Sequence, residues 1–489
     1  MNQHRLFPIY AKEPLLTECQ IKKVAEYLTG VKPREAQKNN TKSVAKNNKL
    51  FANSQSKLGK LDAGYTYFGQ FISHEIVPCS NPEPSEHNYT TTPELDLKSL
   101  YGEPSQYSIF FDEEGKFKTN QMDSFDVIRD KNHVAIIPDQ RNDENAIILQ
   151  FHVLWQKIHN EIINRLTTPV LNEKCGINNK AIHKQARQIT TSLFHYLTIY
   201  DFAARLLHPD VFRCYFNDDK RVTEHNMHCQ KIRTKSYLYK ENSDFDAIPV
   251  EFSHAVFRFG HSMVRPSYAL DINAEPPKKN IDELFRSHPR SPLSCKLQIL
   301  NWNIFFGDEH AQPADPLQLK VSSCMGKIPI EKHIVELNLK AGERVKLPSG
   351  FWIKEWISKS HPDLALQIRL NDEDPLQTSN FDNLSQFNRL LSDHYKCQTL
   401  PLWLYTLEEA QLEQPYRKKL GRVSSTVIAE VLRQSILKYQ LTSNEPRSYS
   451  SLKQSMINES QPLFTEWLAK GDLTMQTLLQ HLNLIRRLK

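Results

Sequence analysis

Residues 67–76 read YFGQFISHEI, and this short stretch carries the strongest structural signal in the chain. Gln70 and His74 stand four residues apart, so on a helix their side chains lie on one face, one turn apart. The apolar neighbours are Phe68, Phe71, Ile72 and Ile76. The stretch therefore predicts a largely buried helix that carries a glutamine and a histidine side by side.

The composition is that of a folded protein. The chain has 489 residues, of which 39% are hydrophobic and 24% charged, enough for one large domain or two to three ordinary ones. Only 14 glycines argue against many tight hairpins, and 27 prolines favour long, shaped loops. The net charge of +6 is small, and lysines and arginines are interleaved with acids rather than gathered in one patch. We therefore expect no nucleic-acid partner.

The sequence gives no signal for a membrane segment, a leader or a cysteine framework. No apolar run reaches the roughly 18 residues of a membrane span, and the first residues lack the apolar stretch of a signal peptide. The eight cysteines include no C-x-x-C pair, which argues against a zinc site or a disulfide framework. We expect reduced thiols, no membrane span and a cytoplasmic location. Export by another route and the oligomeric state stay open.

Apolar residues recur at helical spacing in five further stretches. These are residues 144–166, 181–207, 251–264, 401–414 and 423–439. Residues 78–140 are rich in turn-forming residues, with short extended pieces at most. Strand-like alternation is scarce and no internal repeat is present. The pattern predicts a mainly α fold with long loops. It also predicts an N-terminal extension over residues 1–50, partly mobile at 34–50, and one domain over residues 51–489.

Three further motifs place polar side chains inside or beside apolar segments. They are DQRNDEN (139–145), FRFGHSMVRP (257–266) and LNLKAGERVKLPSG (337–350). Arg141 and Glu144 stand three apart in the first, and Arg258 precedes His261 by one turn in the second. Asn338 is the second residue of the third and precedes its charged part. Taken singly, each has an ordinary explanation, such as a hydrogen-bonded core histidine or a weak surface ion pair.

Together, the four motifs resemble the animal-type haem peroxidases of the peroxidase–cyclooxygenase superfamily, in the form found in bacteria. YFGQFISHEI is similar to the family's distal-histidine helix, and RNDEN with FHVLWQKIHNEI to its distal-arginine segment. EFSHAVFRFGHSMVRPSY resembles the proximal helix, and LNLKAGERVKLPSG the proximal-asparagine segment. PLWLYTLEEAQLEQ and KKLGRVSSTVIAEVL resemble the closing helices. The resemblance implies a single haem peroxidase domain, with haem between central helices and long irregular loops around them.

On the proximal side, the resemblance implies a haem iron bound through one histidine. His261 would be the axial ligand, and Asn338 would hold its other ring nitrogen. Arg258 would pair with a haem propionate through a charge-assisted bond.

On the distal side, the resemblance implies acid–base chemistry on hydrogen peroxide. His74 would act first as general base and then as general acid, and Arg141 would stabilise the charge that develops as the O–O bond breaks. Gln70 would bind the distal water or a halide. The products would be water and a ferryl haem that takes electrons from a small donor. The implied function is therefore that of a peroxidase.

The sequence departs from the family pattern at the sites of covalent haem attachment. Ser73 stands where an aspartate commonly forms an ester with a haem methyl, and a serine cannot form that bond. Glu144 matches the carboxylate of the second ester, whereas Asn145 stands where one branch has a haem-bonded methionine. We therefore expect haem b or a singly ester-linked haem. Iodide, thiocyanate, bromide or phenols are then better donors than chloride.

Family members also hold a calcium ion beside the distal histidine. The corresponding oxygen donors here are Glu75, Asp96, the Thr92 hydroxyl and the Glu94 carbonyl. Calcium takes six to eight oxygen ligands, but Lys98 stands where the family has one of them. The favoured expectation is that the Lys98 ammonium lies between Glu75 and Asp96 in place of the metal. The alternative is a retained calcium with a water in the lysine's place.

Two other functions stay open. A fatty-acid dioxygenase of the same superfamily would carry a tyrosine three residues before the proximal histidine, where this chain has Arg258 between Phe257 and Phe259. A haem-binding relative without turnover would be favoured if His74 or Arg141 were missing, but both are present.

Overall fold

The computed structural model describes most of the chain. The described residues are 4–8, 15–31, 61–78, 91–120, 122–167, 179–216, 237–239, 245–271, 278–286, 291–307, 311–326, 333–371, 400–413, 418–442, 467 and 473–484. The stretch 34–50, predicted to be mobile, lies outside them.

Within these ranges the fold is mainly helical, as predicted. The α-helices are α1 (Glu18–Thr29), α2 (Gly64–Ile76), α3 (Lys98–Tyr101), α4 (Tyr107–Phe110), α5 (Ala146–Leu166), α6 (Asn179–Tyr196), α7 (Ala204–Leu206), α8 (Pro209–Phe216), α9 (Val250–His254), α10 (Ile281–Arg286), α11 (Ile334–Arg344), α12 (Gly350–Ser360), α13 (Pro362–Gln367), α14 (Leu402–Glu413), α15 (Arg422–Thr442) and α16 (Met475–His481). A π-helix spans Leu197–Ala203. The 3₁₀ segments are Pro104–Gln106, Gln140–Asp143, Val256–Ser262, Cys295–Leu297, Trp302–Ile304 and Ser323–Gly326. In the described part, strands β1 (Ser267–Tyr268) and β2 (Lys279–Asn280) pair antiparallel, with Ser267 opposite Asn280.

Four of the five helical stretches predicted from periodicity form with small shifts at their ends. They correspond to α5, to the continuous run from α6 through the π-helix to α7, to α14 and to α15. The turn-rich region 78–140 holds, where described, the one-turn helices α3 and α4 and isolated bridges such as Phe111 with Phe117. None of the described helices is both long and apolar enough to cross a bilayer.

The fifth predicted helix, over residues 251–264, is interrupted. α9 ends at His254 because Ala255 leaves the helical region, with φ −139° and ψ −75°. The chain then continues as the 3₁₀ segment Val256–Ser262. Side chains three residues apart eclipse one another in a 3₁₀-helix, so Arg258 and His261 lie on the same side. Apolar periodicity alone does not report a break at one residue.

A buried aromatic cluster fixes the rotation of α2 about its axis. Phe68 and Phe71 pack against Phe151 and Trp155 of α5 and Phe194 of α6, with ring centroids 5.5–6.4 Å apart. All five side chains are fully buried. Aromatic side chains of this size dominate core energetics, so α2 cannot turn without exposing them. Its Gln70 and His74 face is thereby directed away from the cluster.

The π-helix carries a buried carboxylate that joins distant parts of the chain. Asp201 is 1% exposed. Its Oδ1 accepts from the Tyr65 hydroxyl of α2 and from Arg205 Nε, each at 2.7 Å. Its Oδ2 accepts from the backbone N–H of Met475 at 2.7 Å. Asp201 thus links the start of α2 to the start of α16.

Helix α1 lies inside the predicted N-terminal extension and packs against α11. The Glu343 carboxylate of α11 accepts from the backbone N–H groups of Leu15 and Leu16 at 2.8 and 3.1 Å. The boundary between an extension over residues 1–50 and a domain over residues 51–489 stays a prediction.

A buried arginine holds the loop that leads into α5. Arg129 donates to both oxygens of Asp126 and of Asp143 at 2.7–2.9 Å. The three side chains are 6%, 2% and 1% exposed. Asp126 also accepts from the backbone N–H of Leu293 at 2.9 Å. Since Asp143 directly precedes Glu144, this cluster fixes the position of Glu144.

We expect Arg129→Met to lower the free energy of unfolding by about 3–5 kcal/mol, because it leaves two carboxylates buried without their cation. Urea denaturation followed by circular dichroism measures the loss. The control is Lys359→Met, which removes an exposed pair with Glu355 and should change the free energy by less than about 1 kcal/mol. A loss for Arg129→Met no larger than that of the control would contradict the structural role of the cluster.

Candidate active site

Gln70 and His74 lie on one face of α2, as predicted, and both approach Glu144. Gln70 Nε2 donates to Glu144 Oε1, and His74 Nε2 lies 3.7 Å from the same oxygen. Three predicted site residues from two separate segments therefore meet at one carboxyl group, which we call the Gln70–His74–Glu144 group.

The electrostatics of this group are set by burial and by Arg141. Burial, and then the positive charge of Arg141, lowers the pKa of His74 to about 4, so its imidazole is neutral at neutral pH. Burial raises the pKa of Glu144 to about 7, although Arg141 opposes the rise. The Glu144 side chain keeps 41% of its surface exposed.

The guanidinium of Arg141 is held from several directions. Its Nε and Nη2 contact the Asp139 carboxylate at 3.1 and 2.7 Å. Nη1 donates to the backbone carbonyl of Val77 at 2.8 Å, and Nη2 also donates to that of His74. Asp139 offsets part of the charge of Arg141. The predicted action of Arg141 on peroxide stays a prediction.

Behind His74, polar side chains form a buried row. His74 Nδ1 lies 2.9 Å from Asn142 Oδ1, and Asn142 Nδ2 lies 3.2 Å from His152 Nδ1. His152 Nε2 lies 3.3 Å from the amide of Gln156. Asn142 and His152 are fully buried, and burial lowers the pKa of His152 to about 4. We call these four side chains the His74–Gln156 row.

His261 on the 3₁₀ segment is held through one ring nitrogen. Its Nδ1 lies 3.2 Å from Asn338 Oδ1 and 3.1 Å from Asn338 Nδ2 on α11, and Arg258 Nη1 lies 3.4 Å from the oxygen. Since a guanidinium only donates, Oδ1 is an acceptor, and the Nδ1–H of His261 donates to it. Nε2 then keeps its lone pair, and within the described ranges no hydrogen bond involves it.

Arg258 lies in the interior without a carboxylate partner among the described residues. Its Nε donates to the backbone carbonyl of Ser253 at 2.9 Å. Burial, and then the positive charge of Arg344, lowers the pKa of Arg258 to about 10. An interior cation of this kind is stabilised by a bound anion.

These side chains fit a haem group. A neutral imidazole with a free Nε2 and a hydrogen-bonded Nδ1 is the ligand that haem iron takes. Arg258 is suited to pair with a propionate. At Gly260, the residue directly before His261, an added Cβ would meet no atom within 4 Å. Open space therefore lies next to the chain at this point.

The expectation that the Lys98 ammonium replaces calcium between Glu75 and Asp96 is wrong. The Lys98 Nζ instead lies 2.6 Å from Glu103 Oε1. The reason is that the backbone occupies the gap: the N–H of Lys98 donates to Glu75 Oε1 at 2.5 Å and to Asp96 Oδ1 at 3.1 Å. Leu97, in the left-handed region with φ 58°, turns the chain so that this N–H faces the carboxylates.

The alternative, a calcium ion at this place, stays a prediction. Thr92 Oγ1 lies 3.4 Å from Asp96 Oδ1, so these two predicted ligands are adjacent. Burial, and then Asp96, raises the pKa of Glu75 well above its usual range, and burial also raises the pKa of Glu94. Across the described ranges, no cluster of three or more histidine, cysteine, aspartate or glutamate side chains is arranged to hold a metal.

The sequence analysis missed three residues that the site uses. Asp139 and Asn142 lie within DQRNDEN, and His152 lies within FHVLWQKIHNEI. Asn142 and His74 are 68 positions apart in the sequence, so local spacing could not pair them. The available signal was a polar segment placed directly before an apolar helix.

Part of the chain matches a known protein family. The family model for animal haem peroxidase matches residues 77–296, which include Arg141, Glu144, Arg258 and His261. Over 154 residues, 32% of this chain, the sequence is 24% identical to the thyroid peroxidase of Homo sapiens. The match spans only 13% of that protein's length.

Solved structures share the fold. Peroxidase A from Dictyostelium discoideum superposes with a TM-score of 0.62 at 12% identity, covering 100% of this chain and 94% of that chain. The fatty acid alpha-dioxygenase of Arabidopsis thaliana superposes with a TM-score of 0.55 at 11% identity, covering 87% of this chain and 72% of that chain. At such identities the likeness shows the fold alone, and it confirms the predicted haem peroxidase fold.

The matched segment holds the candidate axial histidine, and the helical architecture is that of the superposed structures. Both findings agree with the resemblance of the four motifs. Residues 77–296 of this chain thus match the animal haem peroxidase family, and the chain shares its fold with a solved peroxidase.

Proposed function

We propose that this protein is a haem peroxidase that reduces hydrogen peroxide and oxidises a small donor such as iodide, thiocyanate, bromide or a phenol. The observation that carries the proposal is the meeting of Gln70, His74 and Glu144 at one carboxyl group. His261 would hold the haem iron through Nε2, with Asn338 on Nδ1 and Arg258 on a propionate. When bound, the haem supplies the iron that binds peroxide and receives its oxidising equivalents.

The acid–base work falls to His74. Because its imidazole is neutral, Nε2 takes a proton from hydrogen peroxide and returns it to the oxygen that leaves as water. General acid–base catalysis of this kind contributes about 10²–10⁴-fold. Gln70 orients the Glu144 carboxyl by its hydrogen bond. Arg141 adds positive charge beside His74, moderated by Asp139.

The protonation state of Glu144 should control how readily His74 accepts a proton. With a pKa of about 7, the carboxyl ionises as pH rises through neutrality, and its negative charge 3.7 Å from His74 Nε2 stabilises the imidazolium. We therefore expect the rate of reaction with peroxide to rise roughly tenfold through neutral pH, since a neighbouring charge shifts a pKa by about 1–3 units. Stopped-flow rates as a function of pH measure this. Glu144→Gln should lose the inflection, and an unchanged inflection in that variant would refute the assignment.

Glu144 is also the residue that would carry a haem ester. An ester removes the ionisable carboxyl, so it excludes the pH response just described. If the ester forms, acidic organic solvent should, after several turnovers with peroxide, release the haem from Glu144→Gln but not from the parent protein. Haem b, which has no covalent link, would be extracted equally from both proteins. A haem attached through Ser73, detected by mass spectrometry, would refute this account of the covalent link.

A visible absorption spectrum of the purified protein, before and after hydrogen peroxide, tests the proposal as a whole. We expect a haem Soret band that shifts with peroxide and recovers when iodide or a phenol is added. Oxygen uptake with linoleate separates the proposal from a fatty-acid dioxygenase. The chain superposes with a dioxygenase, so this test is needed. Arg258 argues against a dioxygenase, because the resemblance places the radical tyrosine of that class at this position. Oxygen uptake without peroxidase turnover would overturn the proposal.

A further inference from the structure

We propose that Asn142 is a positioning residue that decides which ring nitrogen of His74 carries the proton. The inference deepens the proposed peroxidase function and rests on it. A proton on Nδ1 leaves the Nε2 lone pair free to accept a proton from peroxide, whereas a proton on Nε2 makes that nitrogen a donor. The residue that fixes the tautomer therefore decides whether His74 acts as a base.

Asn142 is held rigidly between two imidazole rings. It lies in the 3₁₀ segment Gln140–Asp143, which Asp139 caps through the backbone N–H of Arg141. Its own backbone N–H donates to the Asp139 carbonyl at 3.0 Å, and its side chain is fully buried. The side-chain oxygen faces His74 Nδ1 at 2.9 Å. Because an amide oxygen only accepts, this contact requires the proton on Nδ1.

The same Asn142 amide also orients the far side of the row. Asn142 Nδ2 donates to His152 Nδ1 at 3.2 Å, so that nitrogen is unprotonated and His152 carries its proton on Nε2. Gln156 Nε2 lies 3.3 Å from His152 Nε2, so this arrangement requires a half turn of the Gln156 amide that presents Oε1 to the His152 N–H. Reversing the Asn142 amide would require the opposite proton on both histidines, with the His74 proton on Nε2.

The surrounding groups set the charge of the His74 imidazole, and Asn142 sets its tautomer. The ionisable groups that act on His74 are Arg141, Asp139 and Glu144. His152 lies behind Asn142. Ionisable groups on the other elements packed against α2 bond elsewhere: Asp201 to Tyr65 and Arg205, Lys98 to Glu103, and Arg258 and His261 to Asn338. His74 is neutral in this setting, and a neutral imidazole has two tautomers.

Nitrogen NMR of the haem-loaded full chain reads the tautomer directly. Protein labelled with ¹⁵N only at histidine is studied in the ferrous carbonyl form, which is diamagnetic, and His74→Ala assigns the signals. We expect the parent and Asn142→Asp to carry the proton on Nδ1, since both present an oxygen there. Asn142→Leu, of similar size but without an acceptor, should gain a population protonated on Nε2. A parent already protonated on Nε2 would overturn the inference.

Cyanide binding gives a second readout that does not depend on turnover. Hydrogen cyanide must lose its proton to bind iron, so association needs a free Nε2 on His74. We expect Asn142→Leu to slow association roughly 10–100-fold, the usual effect of losing a supporting hydrogen bond. In Asn142→Asp the carboxylate should raise the pKa of His74 by about 1–3 units, which moves the acid limb of the association profile to higher pH. That shift tests the inference even if the leucine variant does not fold.

Gln150→Leu is the matched control. The substitution removes a buried amide of α5 that donates to the carbonyls of Ala146 and Leu297. Gln150 is not part of the His74–Gln156 row, so the variant should bind cyanide at the parent's rate. Equal losses in Asn142→Leu and Asn142→Asp would mean that Asn142 matters only for packing and would overturn the inference. A parent that binds haem and cyanide but does not react with peroxide would overturn the proposed function while leaving the tautomer assignment standing.

Discussion

His261→Ala should leave the purified protein with less than about a tenth of the parent's haem, because haem iron depends on its axial ligand. The Asn338 amide, 3.2 Å from Nδ1, positions the imidazole, and the alanine variant lacks this nitrogen ligand. Pyridine haemochrome assay against protein concentration measures the haem content. Circular dichroism establishes that the variant is folded.

Two controls make this result specific. His183→Ala removes another buried histidine, bonded to the Gly115 carbonyl at 2.8 Å, and should retain haem. Imidazole added to His261→Ala should enter the space left by the side chain and restore haem binding, since it offers the same nitrogen donor. Full haem content in His261→Ala without imidazole would show that another residue is the axial ligand.

His74→Ala should retain haem but react with hydrogen peroxide about 10²–10⁴-fold more slowly, the usual contribution of general acid–base catalysis. The expected loss follows from the position of Nε2 beside Glu144 and Gln70. The alanine variant leaves no imidazole at this position. Stopped-flow absorbance at the Soret band measures the rate.

Ser73→Ala is the matched control, since Ser73 precedes His74 on α2 and lies on a different face of the helix. It should react at the parent rate and retain haem. A His74→Ala variant that reacts with peroxide as fast as the parent would refute the assignment of His74 as the acid–base residue.

The sequence predicted the parts of the site that depend on local geometry. The four-residue spacing of Gln70 and His74 was enough to place both on one face of α2, because an α-helix has a fixed period. The periodicity of residues 144–166 likewise gave α5 within two residues at its start. These features arise from neighbours in the chain, which a sequence displays directly.

Contacts between distant segments were not predictable in the same way. The lysine expected beside Glu75 turns to Glu103 instead, because the backbone N–H of Lys98 already fills the gap. The break at Ala255 depends on a single pair of dihedral angles. Such features follow from how the segments pack together, which spacing along one chain does not encode.

The carboxylate of Asp201 has a consequence for the order in which the protein matures. Its partners include the hydroxyl of Tyr65 and the backbone N–H of Met475, so its hydrogen bonds are complete only after residue 475 has left the ribosome. Until then the Asp201 carboxylate lacks the hydrogen bond from Met475, and unsatisfied buried polar groups are costly. The helix that carries His74 is therefore fully anchored through Asp201 only once residue 475 is in place.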